Sequence, residues 1–207
     1  MQSITSQDSI VHFNQECYTK LNQHLKEFNY SKIFVIVDTN TLEFCYPYFA
    51  TKVETNLEID VIEIEAGEEH KNIETCLGVW NTLSDFNADR KCLIINLGGG
   101  VVTDLGGFIA CTYKRGVNYI NIPTSLLAMV DASVGGKTGV DLGVLKNQIG
   151  VINQPKMVLI IPKFLNTLDK RQLNSGFAEM LKHGLITSEP FWLHDQSLLH
   201  KRESNRF

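Results

Sequence analysis

The chain has 207 residues, 43% of them hydrophobic and 20% charged, with a formal net charge of −4. These proportions are ordinary for a folded protein of one domain or one and a half, and without a basic stripe they argue against nucleic acid as a partner. The longest apolar runs, such as residues 157–161, are five residues, against the roughly 20 that a membrane span requires.

The first ten residues carry no positive stretch followed by an apolar one, so they do not read as a secretory signal. Cys17, Cys45, Cys76, Cys92 and Cys111 show no C-x-x-C spacing. They read as free, mostly buried thiols in a reducing compartment, which predicts a cytoplasmic protein and excludes zinc held by cysteine.

In chain order, residues 33–37 read as a β-branched and aromatic strand ending at Asp38, and 41–49 as a helix. A short strand at 61–64 alternates with acids and ends before Ala66-Gly67, and a helix is predicted over 72–86. The run 92–97 is a strand that stops at three glycines, followed by a helix over 101–113. The strand 119–122 stops at Pro123, a helix occupies 125–134, and the strand 157–161 stops at Pro162. Near-continuous hydrophobic strands separated by helices predict an α/β fold, a Rossmann-like parallel sheet covered by helices on both faces. This domain is expected over residues 1–170. From there the pattern is helical only, at 173–185 and 190–199. Residues 171–207 are read as the truncated beginning of an α-helical domain, because two helices are too few to close a core.

Open parallel sheets bind ligands outside the carboxyl ends of their strands. Here those ends are Asp38-Thr39-Asn40, Gly67-Glu68, Gly98-Gly99-Gly100 and Thr124-Ser125. Eleven of the fifteen glycines lie between Gly98 and Gly150, a crowding that suggests loops shaped around a ligand, with tight structural turns as the alternative. In GGGVVTDLGG a strand runs through glycines into a helix start, whose free N–H groups make a natural pyrophosphate seat. The strict G-x-G-x-x-G pattern fails because Thr103 occupies its third glycine position, and the run follows the third predicted strand rather than the first. A plain structural turn therefore stays open.

Asp38 and Asn40 suit a ribose or base edge, but read alone they cap a helix equally well. Glu68 and Lys71, three apart, are either ligand contacts or a surface ion pair. Residues 123–139 combine Thr124 and Ser125 at a helix start, Asp131 further along, and Lys137 in what reads as a glycine loop. The P-loop pattern fails there, since Asp131 stands where its first glycine belongs. Lys146 and Asn147 add a cation and an amide for an anionic substrate. Glu179, Lys182 and His183 share one helix face by spacing, either as a surface charge cluster or as metal ligands. His12, His24, His70, His194 and His200 show no metal-ligand spacing.

The blocks GEEHK, GGGVVTDLGGF, PTSLLAMVDASVGGKTGVD, KNQIG, QPKMV, FLNTL and SGFAEMLKHG occur in this order. Together they resemble the 3-dehydroquinate synthase family of sugar-phosphate cyclases, over roughly residues 38–185. The resemblance implies an NAD- and metal-dependent lyase, using zinc or cobalt, that converts 3-deoxy-D-arabino-heptulosonate 7-phosphate into 3-dehydroquinate and phosphate in the shikimate pathway. A hydride is borrowed by NAD and returned within one turnover, so no net redox is implied.

Residue by residue, the resemblance implies that Asp38, Asn40, Gly67, Glu68 and Lys71 hold the adenosine half of NAD. Gly99, Gly100 and Val101 take the pyrophosphate, with Val102 and Thr103 beside them. Asp104, Thr124, Ser125 and Leu127 complete the nicotinamide side, and Lys137, Lys146, Phe164, Leu165, Asn166 and Thr167 also line the cofactor. Asp131, Lys137, Asn147 and Lys182 face the sugar acid and its phosphate. Glu179 is the implied metal ligand, with His183 its neighbour on the helix.

The family draws two further metal ligands, both histidines, from a later helical part, so the 207 residues are expected to be a cofactor-binding but inactive fragment of an enzyme that is a homodimer at full length. Three other readings share the cradle. They are a cyclase making inososes or valiolones, a metal-dependent alcohol dehydrogenase of the glycerol dehydrogenase type, and a non-catalytic NAD-binding module.

Overall fold

Alternation along each strand decides the architecture. In the computed structural model, which describes residues 2–6 and 9–204, the strand β3 (Ile33–Asp38) is buried from Ile33 to Val37. Its residues divide between two cores. Phe34 and Ile36 join Ile62, Ile94 and Leu105 on one face, while Ile33, Val35 and Val37 join Leu93, Ile95 and Phe49 on the other. A strand buried on both faces has no polar side, which is why its sequence is continuously apolar.

The remaining elements are β1 (Ile4–Ser6), β2 (Ser9–Phe13), α1 (Glu16–Glu27), α2 (Thr39–Phe44), α3 (Tyr46–Ala50), β4 (Ile59–Ile64), α4 (Ile73–Asp85), β5 (Leu93–Gly98), α5 (Gly100–Thr112), β6 (Asn118–Pro123), β7 (Lys137–Leu142), β8 (Leu145–Ile152), β9 (Met157–Ile160), α6 (Lys170–Thr187) and α7 (Glu189–Ser204). Seven strands form one sheet in the order β1-β2-β9-β6-β5-β3-β4. Every pairing in it is parallel except β1 with β2. The carboxyl ends of β3, β4, β5, β6 and β9 therefore share one edge. β4 lies on one side of β3 and β5 on the other, so the order reverses between the tips of β3 and β5, the crevice where such sheets take ligands. α4 and α5 cover one face; α1 and α3 cover the other.

The five predicted strands are all present, and the fold class stands. Three expectations change. The helix over 41–49 is two helices broken at Cys45, because Pro47 lies in the first turn of α3, where its missing N–H is tolerated while mid-helix it is not. The glycine loop around Lys137 is β7, paired with β8 in an antiparallel hairpin whose cross-strand pair Gly139–Gly150 brings the backbones together. The N-terminal β1, β2 and α1 have no counterpart in the sequence reading, so β5 is the fifth strand of the chain and not the third.

The glycine crowding is mostly packing. A Cβ on Gly98 would strike Val102, one on Gly106 the Asn96 side chain, and one on Gly107 would lie 2.5 Å from Thr138 Cγ2. These glycines let α5 lie tightly between the sheet and the hairpin. After the sheet, α6 and α7 pack on each other. Leu185, Ile186, Phe191 and Leu193 remain exposed on them. His200 lies outside the residues whose side chains are described.

Candidate functional site

The helix α5 begins at the tip of β5, and no side chain caps it. Gly99 and Gly100 leave room at this start, with the nearest atoms to a Cβ being Ser125 Oγ at 3.4 Å and Ala132 Cβ at 3.5 Å. A helix of 13 residues with uncapped N–H groups at a strand tip is an anion seat. Val102 and Thr103 face inward, both buried. Thr103 donates its N–H to the Gly99 carbonyl at 3.0 Å and its hydroxyl to the carbonyls of Gly99 and Gly100 at 3.2 and 3.1 Å. Its donors are committed within the first turn.

At the neighbouring tip, Asp38 closes a capping box: its Oδ1 accepts from the Thr41 N–H at 2.7 Å. The capping alternative is thus realised, and Asn40 stands exposed beside it. Thr124 is buried, its N–H bonded to the Gly98 carbonyl at 2.9 Å, and Ser125 Oγ accepts from Ala128 N–H at 3.3 Å, starting the turn that carries Leu127 to Asp131. Phe164 turns inward, 3% exposed and edge-to-face with Tyr48 at 5.9 Å, so its ring does not line the edge. Asn166 and Thr167 are exposed there.

Glu68 and Lys71 do not pair with each other. Lys71, 4% exposed along its side chain, places its ammonium 2.6 Å from Asp104 Oδ2 and 2.6 Å from Asn147 Oδ1. Glu68 meets Lys146 at 3.0 Å on the surface. Burial raises the Asp104 carboxyl above the ordinary aspartate value, and Glu68 and Asp131 add to that, while Lys71 opposes it. Asp104, Asp131, Lys137 and Asn147 line one cavity of about 460 Å³ beneath the hairpin. A larger hollow of about 1040 Å³ lies beside Tyr18, Tyr48 and Lys163. It holds no grouping of acid and imidazole among the described residues.

The helix α6 arrives beside Asp131. Gly176 on α6 sits where a Cβ would strike Leu126, and this contact lets α6 approach closely. Glu179 and His183, three and seven residues on, share that face. His183 Nε2 lies 3.3 Å from Glu179 Oε1 and 3.5 Å from Asp131 Oδ1. All three residues offer ligand atoms within 4.8 Å of one another. Glu179 Oε1 also touches Lys182 Nζ, which raises the Lys182 pKa. His183 Nε2 is buried without a hydrogen bond, and Glu179 Oε1, equally buried, meets the Lys182 ammonium. Spacing left His183 open as a metal ligand, while the resemblance made it a neighbour of Glu179; the fold of α6 against the 128–132 turn brings it and Asp131 to either side of Glu179.

The family model described as 3-dehydroquinate synthase N-terminal matches residues 61–175. The chain belongs to the 3-dehydroquinate synthase family. Among curated relatives of this family member, a 3-dehydroquinate synthase from Parabacteroides distasonis is 44% identical over 170 residues, 82% of this chain and 48% of that protein. The corresponding protein of Clostridium acetobutylicum is 46% identical over 166 residues, 78% and 46% of the two chains. The chain thus spans about half the length of the curated relatives it matches. A solved structure of 2-epi-5-epi-valiolone synthase from Streptomyces hygroscopicus, with NAD+ and Zn2+ bound, is 32% identical with a TM-score of 0.74, covering 88% of this chain and 50% of that one. No helix among the described residues is long and apolar enough to cross a membrane.

Proposed function

We propose that the chain is the NAD-binding half of a 3-dehydroquinate synthase, acting on 3-deoxy-D-arabino-heptulosonate 7-phosphate in the cytoplasm as part of a homodimer. Residues 1–170 form the cofactor domain, and 171–207 begin the helical part that carries metal and substrate groups. One observation carries the reading: the uncapped α5 start lies against Ala132, and the adjoining Asp131 belongs both to the acid–imidazole cluster with Glu179 and His183 and to the cavity that Asp104 lines. The curated 3-dehydroquinate synthases, at 44% and 46% identity, support this substrate over that of the valiolone synthase at 32%.

The residues fit both absent groups. The α5 start at Gly99 and Gly100, which no side chain caps, suits a pyrophosphate, and the buried, unbonded His183 Nε2 beside the Glu179 and Asp131 carboxylates suits a divalent cation. When bound, NAD supplies a hydride acceptor that is regenerated within the cycle, and zinc or cobalt supplies Lewis acidity. The N–H groups of Gly100 and Val101 seat the pyrophosphate, and Asn40 and Gly67 stand at the adenosine end. Asp104, Ser125 and Leu127 shape the nicotinamide end. Lys137, Asn147 and Lys182 place positive and donor groups where phosphate and carboxylate arrive. Asp131 and Glu179 hold the acidic side, with Glu179 the metal ligand.

Calorimetry of the 207-residue chain with NAD and with ADP-ribose tests this reading. Saturable heat with both ligands is expected, and its absence with both overturns the proposal. The chain alone is expected not to turn over the heptulosonate phosphate, whereas the full-length enzyme releases phosphate without accumulating NADH. A rise in NADH absorbance favours an alcohol dehydrogenase instead.

A further inference from the structure

The Lys71 ammonium has three donors and no acceptor. Whatever it touches must turn an acceptor toward it. Its two partners come from separate parts of the chain, Asp104 on α5 and Asn147 on the β7–β8 hairpin. The backbone repeats the link: the Asp141 N–H donates to the Lys71 carbonyl at 2.9 Å, and the Asn147 N–H to Asp141 Oδ1 at 2.7 Å. Asn147 itself sits at φ +55°, a left-handed conformation that asparagine tolerates better than most residues. With Oδ1 held by the lysine, the Asn147 Nδ2 group has no partner among the described residues, and Asn147 lines the cavity together with Lys137.

We propose that Lys71 is a positioning residue: one ammonium holds Asp104 as a carboxylate and turns the Asn147 amide so that its N–H donors face the substrate cavity. The inference rests on reading Asp104 and Asn147 as cofactor-side and substrate-side groups. It moves Lys71 from the adenosine end, where the family resemblance puts it, to a place beneath the reacting end. The groups facing Asp104 set the balance. Glu68 and Asp131 repel its charge, burial disfavours it, and Tyr119 and Lys137 stand near. Lys71 alone among them makes an ion pair with it in the described residues. An anion in the cavity then meets Asn147 donors and the Lys137 ammonium instead of an amide oxygen.

Carbon-detected NMR of the aspartate-labelled chain follows the Asp104 carboxyl through a pH titration. In Lys71→Met the proton affinity of Asp104 should rise about tenfold or more, and Lys71→Arg should restore it. A purely structural staple would lower stability without moving this midpoint, so an unchanged midpoint in Lys71→Met overturns the proposal. Inorganic phosphate should shift the Asn147 side-chain amide signals in the wild type and not in Lys71→Met. Equal shifts in both, or none in the wild type, overturn the donor-outward arrangement. Should Lys71→Met fail to fold, the wild-type Lys71 Nζ resonance decides: it should move at the Asp104 midpoint, and independent midpoints sink the pairing. None of these readouts requires NAD, so calorimetric failure with NAD bears on the functional reading alone.

Discussion

Two sides of one cleft are built from different materials. The proposed cofactor side is backbone and small residues from a contiguous stretch, with α5 starting uncapped at Gly100 and the Thr103 hydroxyl tied to the Gly99 and Gly100 carbonyls. The charged side is assembled from Lys71, Asp104, Asp131, Asn147, Glu179 and His183, which meet only in the fold. A backbone seat depends on tight packing behind it. A side-chain cluster depends on charge balance and on how closely one helix approaches another. The two sides should therefore fail separately.

The largest effect is expected behind the cofactor side. Gly106→Ala drives a Cβ into Asn96, a buried side chain already bonded to Asn121 at 2.9 Å. Overpacking at such a point costs about 3 kcal/mol, read as a lowered denaturation midpoint, and a near-neutral result would show that this edge adapts. Gly176→Ala probes the other side by pressing α6 away from Leu126. The expected outcome is a roughly tenfold loss of cobalt affinity by calorimetry with NAD affinity retained, and parallel losses would erase the distinction between the two sides.

The charged side should also carry its own pH signature. Asp104 is raised above 3.8 in the folded chain, so its contribution to stability is present below 3.8 and is lost as pH rises through its folded value. Denaturation midpoints should show this slope in the wild type and a flatter one in Asp104→Asn. His12 and His24, lowered by burial from 6.5, act in the opposite direction: their stabilisation is present above 6.5 and is lost as pH falls through their folded values. The smallest effect checks the core shared by both sides. Burial pushes Cys17, Cys45 and Cys76 up to about 12 and Cys92 to about 11, so iodoacetamide near neutral pH should leave them unmodified by mass spectrometry. Cys111, half-buried and also raised, should react slowly.

Much of the cofactor side was legible in the sequence because its parts are local. A β-branched run ending in glycines and then a helix shows both the strand and the anion seat within about a dozen residues. The same locality misled where glycine was concerned. Gly106, Gly107, Gly139 and Gly150 mark close packing and a cross-strand pair rather than ligand loops. The hairpin was illegible because Lys137–Leu142 and Leu145–Ile152 each interrupt their apolar residues with a glycine and polar groups, and they are held as strands by α5 beneath them. Neither the Lys71 bridge nor the approach of His183 to Asp131 has a linear signature.

What the amino-acid order determined by itself was the parallel sheet, the glycine and polar residues at its strand tips and the family, since these follow from hydrophobic periodicity and from contiguous blocks. Tertiary structure alone decided which charges meet. Lys71 finds Asp104 and not Glu68, and His183 finds Asp131. The reason is physical: an ion pair acts over a few ångströms of space, and that distance is set by packed helices and strands rather than by separation along the chain.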